Sequence, residues 1–281
     1  MNLARSSFYY RPKTKEPDRM KAEADLRDRI EAICLEFPRY GYRRVTHQLK
    51  HEGKLVNHKK VLRLMKESDL LCRVKRKLIA TTNSDHHFPV YPNLIGGMTV
   101  SRLNQVWMAD ITYIRIRTGF VFLAAILDAY SRKVIGYAIS RRIDRALTLE
   151  ALRMAIAGRC PGPSVIHHSD QGVQYASTEY VDELKRCGFT ISMSRKGNPY
   201  DNARMESFFK TLKYEEVYLC EYETIEDVME RLPYFIEEVY NHKRLHSALE
   251  YQSPDDFEES MIIQQNNGAP RQTLLTLPAQ S

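Results

Sequence analysis

No run of apolar residues in this 281-residue chain approaches the roughly 20 needed to cross a bilayer. The opening Met1-Asn2-Leu3-Ala4-Arg5-Ser6-Ser7 likewise lacks the apolar stretch of a secretory signal. These absences set aside membrane-spanning and exported classes, and the expected compartment is the cytoplasm. Cysteine is sparse. Cys34, Cys72, Cys160, Cys187 and Cys220 are odd in number, far apart and never spaced as Cys-x-x-Cys, which argues against both a disulfide framework and a zinc knuckle. Tryptophan occurs once, at Trp107, and no segment repeats, so repeat architectures are excluded as well.

Acidic residues are scarce at the front. Residues 1–80 carry 21 of the 42 Lys and Arg but only 10 of the 35 Asp and Glu, a net +11, whereas the rest of the chain stands at −4. A basic excess confined to one segment suits a surface that meets phosphates, although a merely solvated basic face has the same composition. With 43% hydrophobic residues the chain can bury a substantial core, and its length suits one large domain or a medium one with a small appendage.

Periodicity divides the chain. Over residues 24–37, Leu26, Ile30, Ile33, Cys34 and Phe37 recur at helical spacing. Val45 and Leu49 mark a short second helix ended by Gly53, and Asn57 is placed to cap a third with Val61, Leu64 and Met65 on one face. The expectation is a small all-α module of the helix-turn-helix sort over residues 1–73, followed by a linker over 74–100. Beyond it the pattern becomes strand-like at 106–116, 120–127 and 133–139, with turns at Gly119 and Ser131-Arg132, as in an antiparallel meander. A helix at 147–157, a strand at 164–168, a helix at 178–187, a strand at 189–193 and a helix at 201–213 follow. Strands first, then alternating helix and strand, predict an α/β core with a mixed sheet over 101–260. A last amphipathic helix is expected at 225–240, and a flexible tail at 261–281, polar from Gln264 onward.

Three carboxylates stand out by position. Asp110 lies inside the first strand among apolar neighbours, where a charge is costly unless it is paired or binds a cation. Asp170 closes the short strand Val165-Ile-His-His-Ser-Asp170, and strands of such a sheet deliver groups to a crevice beyond their carboxyl ends. Glu206 stands off the apolar face made by Met205, Phe208 and Leu212 and shares a stripe with Lys210 and Lys213. The plainer reading of that stripe is a Glu206–Lys210 pair, worth about 0.3–0.5 kcal/mol on a solvated helix. Oxygen ligands of this kind suit magnesium or manganese, and two such ions can assist in-line displacement at a phosphodiester without a covalent enzyme intermediate.

The order Asp, Asp, Glu, with 35 residues between Asp170 and Glu206, resembles the DDE motif of retroviral integrases and related transposases. Trp107-x-x-Asp110-Ile-Thr-Tyr113, His168-Ser-Asp170-Gln-Gly172-x-Gln-Tyr175 and Asp201-Asn-Ala203-x-x-Glu206-Ser-Phe-Phe209 resemble the OrfB transposases of the insertion-sequence-three family. So does Tyr240-Asn241-x-x-Arg244-x-His246-x-x-Leu249, with Ser253-Pro254 after it. In front, Tyr40-Gly-Tyr-Arg-Arg44 and Val56-Asn-His-Lys59-x-Val-x-Arg-Leu-Met65 resemble the helix-turn-helix module of the same subunits. The likeness covers residues 36–257.

This resemblance implies a ribonuclease H-like catalytic core that cleaves DNA at the ends of an insertion sequence and transfers the strand to new DNA. It implies that Asp110, Asp170 and Glu206 bind two magnesium ions, or manganese, and that Lys213 contacts DNA near the transposon end. Further phosphate contacts are expected at Arg43, Arg44, Lys59, Lys60 and Arg63 in the front module and at Arg195, Lys196 and Lys210 beside the acids. The implied partners are transposon-end and target DNA, further copies of the chain in a synaptic complex, and an upstream helix-turn-helix and leucine-zipper protein made separately or as a fusion. Retroviral integrases carry a zinc-bound His-His-Cys-Cys domain; the histidines and cysteines here lack that spacing, and no structural zinc is expected.

Other conspicuous residues have structural readings. Asp128, beside a hairpin turn, is expected to cap it or to pair with Arg132, and Asp201 to cap the helix that carries Glu206. His167, His168 and Trp107 are expected to pack the sheet, as are the aromatic residues near positions 8–10 and 40–42 in the helical module. Two rival functions remain: a DNA-binding regulator built on an inactive core, and a nuclease of the same fold that cuts without strand transfer. The complete acidic triad speaks against the first, and the helical module and the motif at 240–249 against the second.

Overall fold

A computed structural model describes residues 17–72, 89–195 and 202–268. The chain forms two compact units, Met1–Arg76 and Lys77–Ser281. Among the described residues no helix is long and apolar enough to cross a membrane.

The first unit is built from α1 (Pro17–Glu36), α2 (Tyr42–His51) and α3 (His58–Glu67). Asn57 caps α3 as its sequence position suggested, its side chain accepting from the Lys59 N–H at 2.8 Å. Gly53 takes a positive φ of 77° just past α2, a conformation that costs glycine little. Val45, Leu49, Val61, Leu64 and Met65 are 0–1% exposed and close on Leu26, Ile30 and Ile33 of α1. Each such burial contributes about 1.5–3 kcal/mol, which is what holds three short helices together. Tyr40 is buried and stacks on Phe37 with ring centres 4.4 Å apart. The aromatic residues at positions 8–10 lie outside the described residues.

The second unit is a five-stranded mixed sheet in the order β3-β2-β1-β4-β5. Strands β1 (Val106–Ile116), β2 (Gly119–Asp128) and β3 (Val134–Ser140) form the antiparallel meander, while β4 (Ile166–Ser169) and β5 (Thr190–Met193) add in parallel. One face carries α4 (Arg145–Arg159) and α5 (Thr178–Arg186) over Trp107, Ala109, Ala124 and Ile126. The other carries α6 (Ala203–Leu212) and α7 (Ile225–Tyr234) over Val106, Met108, Ile114 and Leu123. Period-two alternation along β1 thus feeds two separate apolar layers. Where β3 crosses α4 the backbones meet at Gly136: a Cβ there would strike the Ala151 carbonyl and lie 2.8 Å from the Ala155 Cβ.

Two helices depart from α geometry. Beyond α6 the chain continues as a π-helical stretch, Lys213–Val217, and beyond α7 as another, Phe235–Lys243, so the expected helix 225–240 is divided and three residues longer. The flexible tail expected from residue 261 needs correction, because Pro254–Gly268 is a helix, α8. Its anchors are at its start: Ser253 Oγ accepts from Asp256 N at 3.1 Å, Phe257 packs edge-on against Tyr130, and Glu258 takes both amino groups of Arg159 at 2.8 and 2.5 Å. Residues 269–281 lie outside the described residues. Within the segment expected to be linker, residues 89–100 lie against the core, with Leu94 N donating to Ser192 Oγ at 2.9 Å and Ile95 and Met98 packed on the apolar layer.

Candidate active site

Asp110 sits on the face of β1 that α6 covers, in line with Val106 and Met108 below it and Ile114 above. It breaks the apolar stripe at mid-strand and is half-buried. Both its oxygens are engaged: Oδ1 accepts from Ile111 N at 2.7 Å and Oδ2 from the Asn202 side-chain amide at 2.8 Å.

Strand β4 runs beside β1 with Val106 opposite Ile166, Trp107 opposite His167 and Met108 opposite His168. The ladder ends at Met108 and His168, two residues short of Asp110 on β1 and of Asp170 on the other side, so both acids lie past the same end of that ladder. Asp170 is just past the end of β4, and its Oδ1 accepts from Gly172 N at 2.9 Å. A Cβ on Gly172 would lie 2.8 Å from that oxygen, so a side chain there would push the Asp170 carboxylate out of this position. Glu206 is in the first turn of α6, exposed, and among the described residues no ion pair joins it to Lys210.

The three acids act on one another. Burial, then the charge of Asp170, and more weakly that of Glu206, push the Asp110 carboxyl up to about 8, against the pull of the hydrogen bonds from Ile111 and Asn202. Lys213 lies half-buried past the end of α6, its ammonium pushed down by burial and held up by Asp110. Its Nζ is 4.5 Å from the centre of the Tyr113 ring. Among the described residues no three carboxylates, histidines or cysteines converge closely enough to enclose one metal ion. What links the three carboxylates, on β1, just past β4 and on α6, is the action of the other two charges on Asp110.

Residues 100–199 and 187–254 match the family model described as integrase core domain, and residues 21–77 match the HTH-like domain. The chain is 38% identical over 259 residues to the insertion element IS600 uncharacterized 31 kDa protein of Shigella sonnei, covering 92% of this chain and 95% of that one. It is 38% identical to the transposase for insertion sequence element IS904 of Lactococcus lactis, covering 87% of this chain and 98% of the other. To the transposase InsF for insertion sequence IS3A of Escherichia coli it is 34% identical, with 93% and 92% covered. The chain belongs to the transposases of the insertion-sequence-three family.

This transposase is therefore a polynucleotidyl transferase that cleaves DNA and transfers strands, on an integrase core with a ribonuclease H-like sheet. Its other prominent residues have structural work. Asp128 is fully buried in the transposase, and its carboxylate accepts from Asn104 N at 2.7 Å and Tyr130 N at 2.8 Å. It caps the turn through backbone N–H groups; the contact with Arg132 is between backbones, Arg132 N donating to the Asp128 carbonyl at 2.9 Å. His167 is buried against Tyr180, Nε2 to hydroxyl 2.9 Å, and desolvation pushes its ring down to about 3, so it stays neutral. His168 Nδ1 meets Ser192 Oγ at 2.9 Å. Trp107 packs at 5.2 Å edge-on to Phe189 and donates to Asn104 at 3.1 Å.

The cations singled out in the sequence are spread unevenly. In the front unit of the transposase Arg43, Lys59 and Lys60 are exposed, while Arg44 is half-buried with its guanidinium 5.6 Å from the Tyr40 ring centre. Arg63 is held by Glu67 at 2.8 Å and Glu23 at 3.1 Å, and Lys60 stands 4.0 Å from Glu23. Arg195 and Lys210 are exposed; Lys196, like Asp201, lies outside the described residues. Sequence reasoning missed Asn202, Tyr113 and Tyr175. Tyr175 is buried, its hydroxyl has no hydrogen-bond partner among the described residues, and burial, with the charges of Tyr180, Asp110 and Asp170 after it, raises its pKa well above the usual tyrosine range. All three stand inside motifs quoted above, where only the neighbouring acids invited attention.

Proposed function

We propose that Asp110, Asp170 and Glu206 are the catalytic acids of this transposase and that they hold magnesium or manganese, as two ions. The observation that supports this reading is that the charges of Asp170, just past β4, and of Glu206, on α6, both act on Asp110, with β4 running parallel beside β1. The donor set fits. It is all oxygen, as hard divalent cations require, and magnesium is commonly held by one or two carboxylates with water and substrate phosphate rather than by a closed cage. Bound in this way, the ions supply a nucleophile at neutral pH and charge stabilisation for the displaced oxygen.

The chain's own residues bind and orient. Asp110 is fixed in orientation by hydrogen bonds to both oxygens, and Asp170 by Gly172. Lys213 offers a cation for a DNA phosphate beside the acids. The front unit, with Arg43, Arg44, Lys59 and Lys60 at its surface, grips DNA. Arg63 joins them once its acidic partners let go, and Arg195, Lys196 and Lys210 extend the contact near the acids. The working form is an assembly of copies on transposon-end and target DNA, completed by an upstream helix-turn-helix and leucine-zipper protein, and it acts in the cytoplasm.

The test is strand cleavage and joining on labelled DNA carrying the element's end, with magnesium and the upstream partner, for the wild type, Asp170→Asn and Glu206→Gln. Products from the wild type alone, abolished by chelation, support the assignment. Equal activity in either variant rejects it, and binding with no product in any condition favours a regulator.

A further inference from the structure

Asn202 is the N-cap residue of α6, a place where asparagine ordinarily turns its side-chain oxygen back onto the first N–H groups of the helix. Here it makes no such cap bond. The side chain is 8% exposed and points its amide nitrogen at Asp110 Oδ2, 2.8 Å away, leaving its own oxygen buried and without a hydrogen-bond partner among the described residues. A helix start has thus given up its usual local bond for one to another element. Among the described residues Asp110 accepts two hydrogen bonds: that from Ile111 comes from its own strand, and that from Asn202 crosses from the head of α6 to β1. Glu206 lies four residues further along, about one helical turn.

We infer that Asn202 is a positioning residue of the reaction: its amide orients the Asp110 carboxylate and ties the head of the helix that carries Glu206 to strand β1. The inference rests on the assignment of the acids proposed above. The residue type fits the task, since a neutral amide gives a donor to Asp110, where an aspartate of the same shape would set a third negative charge against it, beside those of Asp170 and Glu206. The remaining oxygen is an acceptor, and the donor that suits an acceptor beside carboxylates is a water molecule shared with a bound cation.

Removal of a residue that orients a metal-binding carboxylate costs about 10- to 100-fold in metal affinity or activity. The experiment titrates Mn2+ into the full chain without DNA, free Mn2+ being read by electron paramagnetic resonance, for the wild type, Asn202→Ala, Asn202→Ser and Asp110→Asn. Cleavage kinetics on end-bearing DNA and a thermal melt accompany it. Asn202→Ser keeps a good helix cap but is too short to reach Asp110, so it stands in where the alanine variant folds poorly. Both variants are expected to bind Mn2+ about tenfold more weakly and to lose kcat, with KM for DNA little changed. Mn2+ affinity and kcat within about twofold of the wild type in a folded variant overturn the inference, because a purely structural residue would move the melt alone. Asp110→Asn separates the two levels. If it binds Mn2+ and cleaves normally, the acids themselves are misassigned; if it is inactive while the Asn202 variants are normal, only the role of Asn202 fails.

Discussion

The ammonium of Lys213 lies over the face of the Tyr113 ring, 4.5 Å from its centre, so a cation at the end of the Glu206 helix is seated on the strand that carries Asp110. An aromatic face steadies a cation without neutralising it, which leaves the charge available to a phosphate. Lys213→Ala is expected to weaken binding of end-bearing DNA at all sequences and to reduce the slope of log affinity against log salt by about one. Tyr113→Phe retains the ring and should leave the slope unchanged. A Lys213→Ala slope equal to that of the wild type removes Lys213 from the DNA surface.

Asp110 makes stability depend on pH when no divalent cation is present. Its carboxyl is raised from an ordinary 3.8 to about 8 in the folded chain, mainly by burial and then by Asp170, so folding takes up a proton between those values. Stability therefore falls as pH rises through that window and is lowest above it. Asp110→Asn abolishes the dependence. In chelator above the window the variant is expected to melt roughly 5 °C higher than the wild type, after discounting for partial exposure, and about equally below it. Magnesium should narrow the gap by stabilising the wild type. A constant difference across pH would show that Asp110 does not carry the effect.

The stretch after α7 is a clamp. Arg244 meets Glu215 with two bonds of 2.7 and 2.6 Å, and the Asn241 amide pairs with both the N–H and the C=O of Val134 at 2.9 Å each. Both pairs are buried or nearly so, and breaking one partner leaves the other uncompensated. Arg244→Ala is expected to cost about 3–5 kcal/mol and Asn241→Ala about 1–3 kcal/mol in urea unfolding. The combined Arg244→Met, Glu215→Met variant should recover most of the first loss, since a buried ion pair often does no better than apolar packing. A loss below about 1 kcal/mol for Arg244→Ala would mean the pair is more solvated than its geometry indicates.

In the front unit, Glu67 occupies Arg63 at 2.8 Å and also pairs with Arg27. Glu67→Gln leaves Glu23 as the remaining acidic partner of both arginines and is expected to raise affinity for duplex DNA roughly two- to fivefold at low salt, the worth of an exposed pair, with a steeper salt dependence. Unchanged affinity would place the DNA surface of this unit elsewhere than on α3.

Much of this was legible because periodicity is a local signal. The strands at 119–128 and 134–140 differ from expectation by a residue at each end, and Asn57 and Gly53 act as their chemistry suggests. Asp110 and Asp170 stand out because acids in apolar strands and at strand ends are costly to leave idle, whereas Glu206 stands out by its place off the apolar helix face and by its spacing from Asp170. What could not be read depends on distant partners. Helix α8 looks polar in isolation and is fixed by Arg159 and Tyr130, about a hundred residues away in sequence. The π-helical stretches after Leu212 and Tyr234 carry no residue signature, since their bonding shift is a property of backbone packing. Asn202 stood in the shadow of Asp201, the residue expected to cap the same helix, and only a contact across 92 residues reveals its use.

The register that pairs Val106 with Ile166 also governs which changes in length the transposase can absorb. Between β1 and β4 lie β2 and β3 with their turns, α4 and a loop, and residues gained or lost in those turns and loops leave the β1–β4 ladder where it is. A single residue inserted within 106–110 or 166–170 is another matter. It slides one strand against the other by one step and turns an aspartate to the opposite face of the sheet, toward α4 and α5. Relatives of very different length between these strands can therefore share one active site, while a one-codon slip inside either strand destroys it.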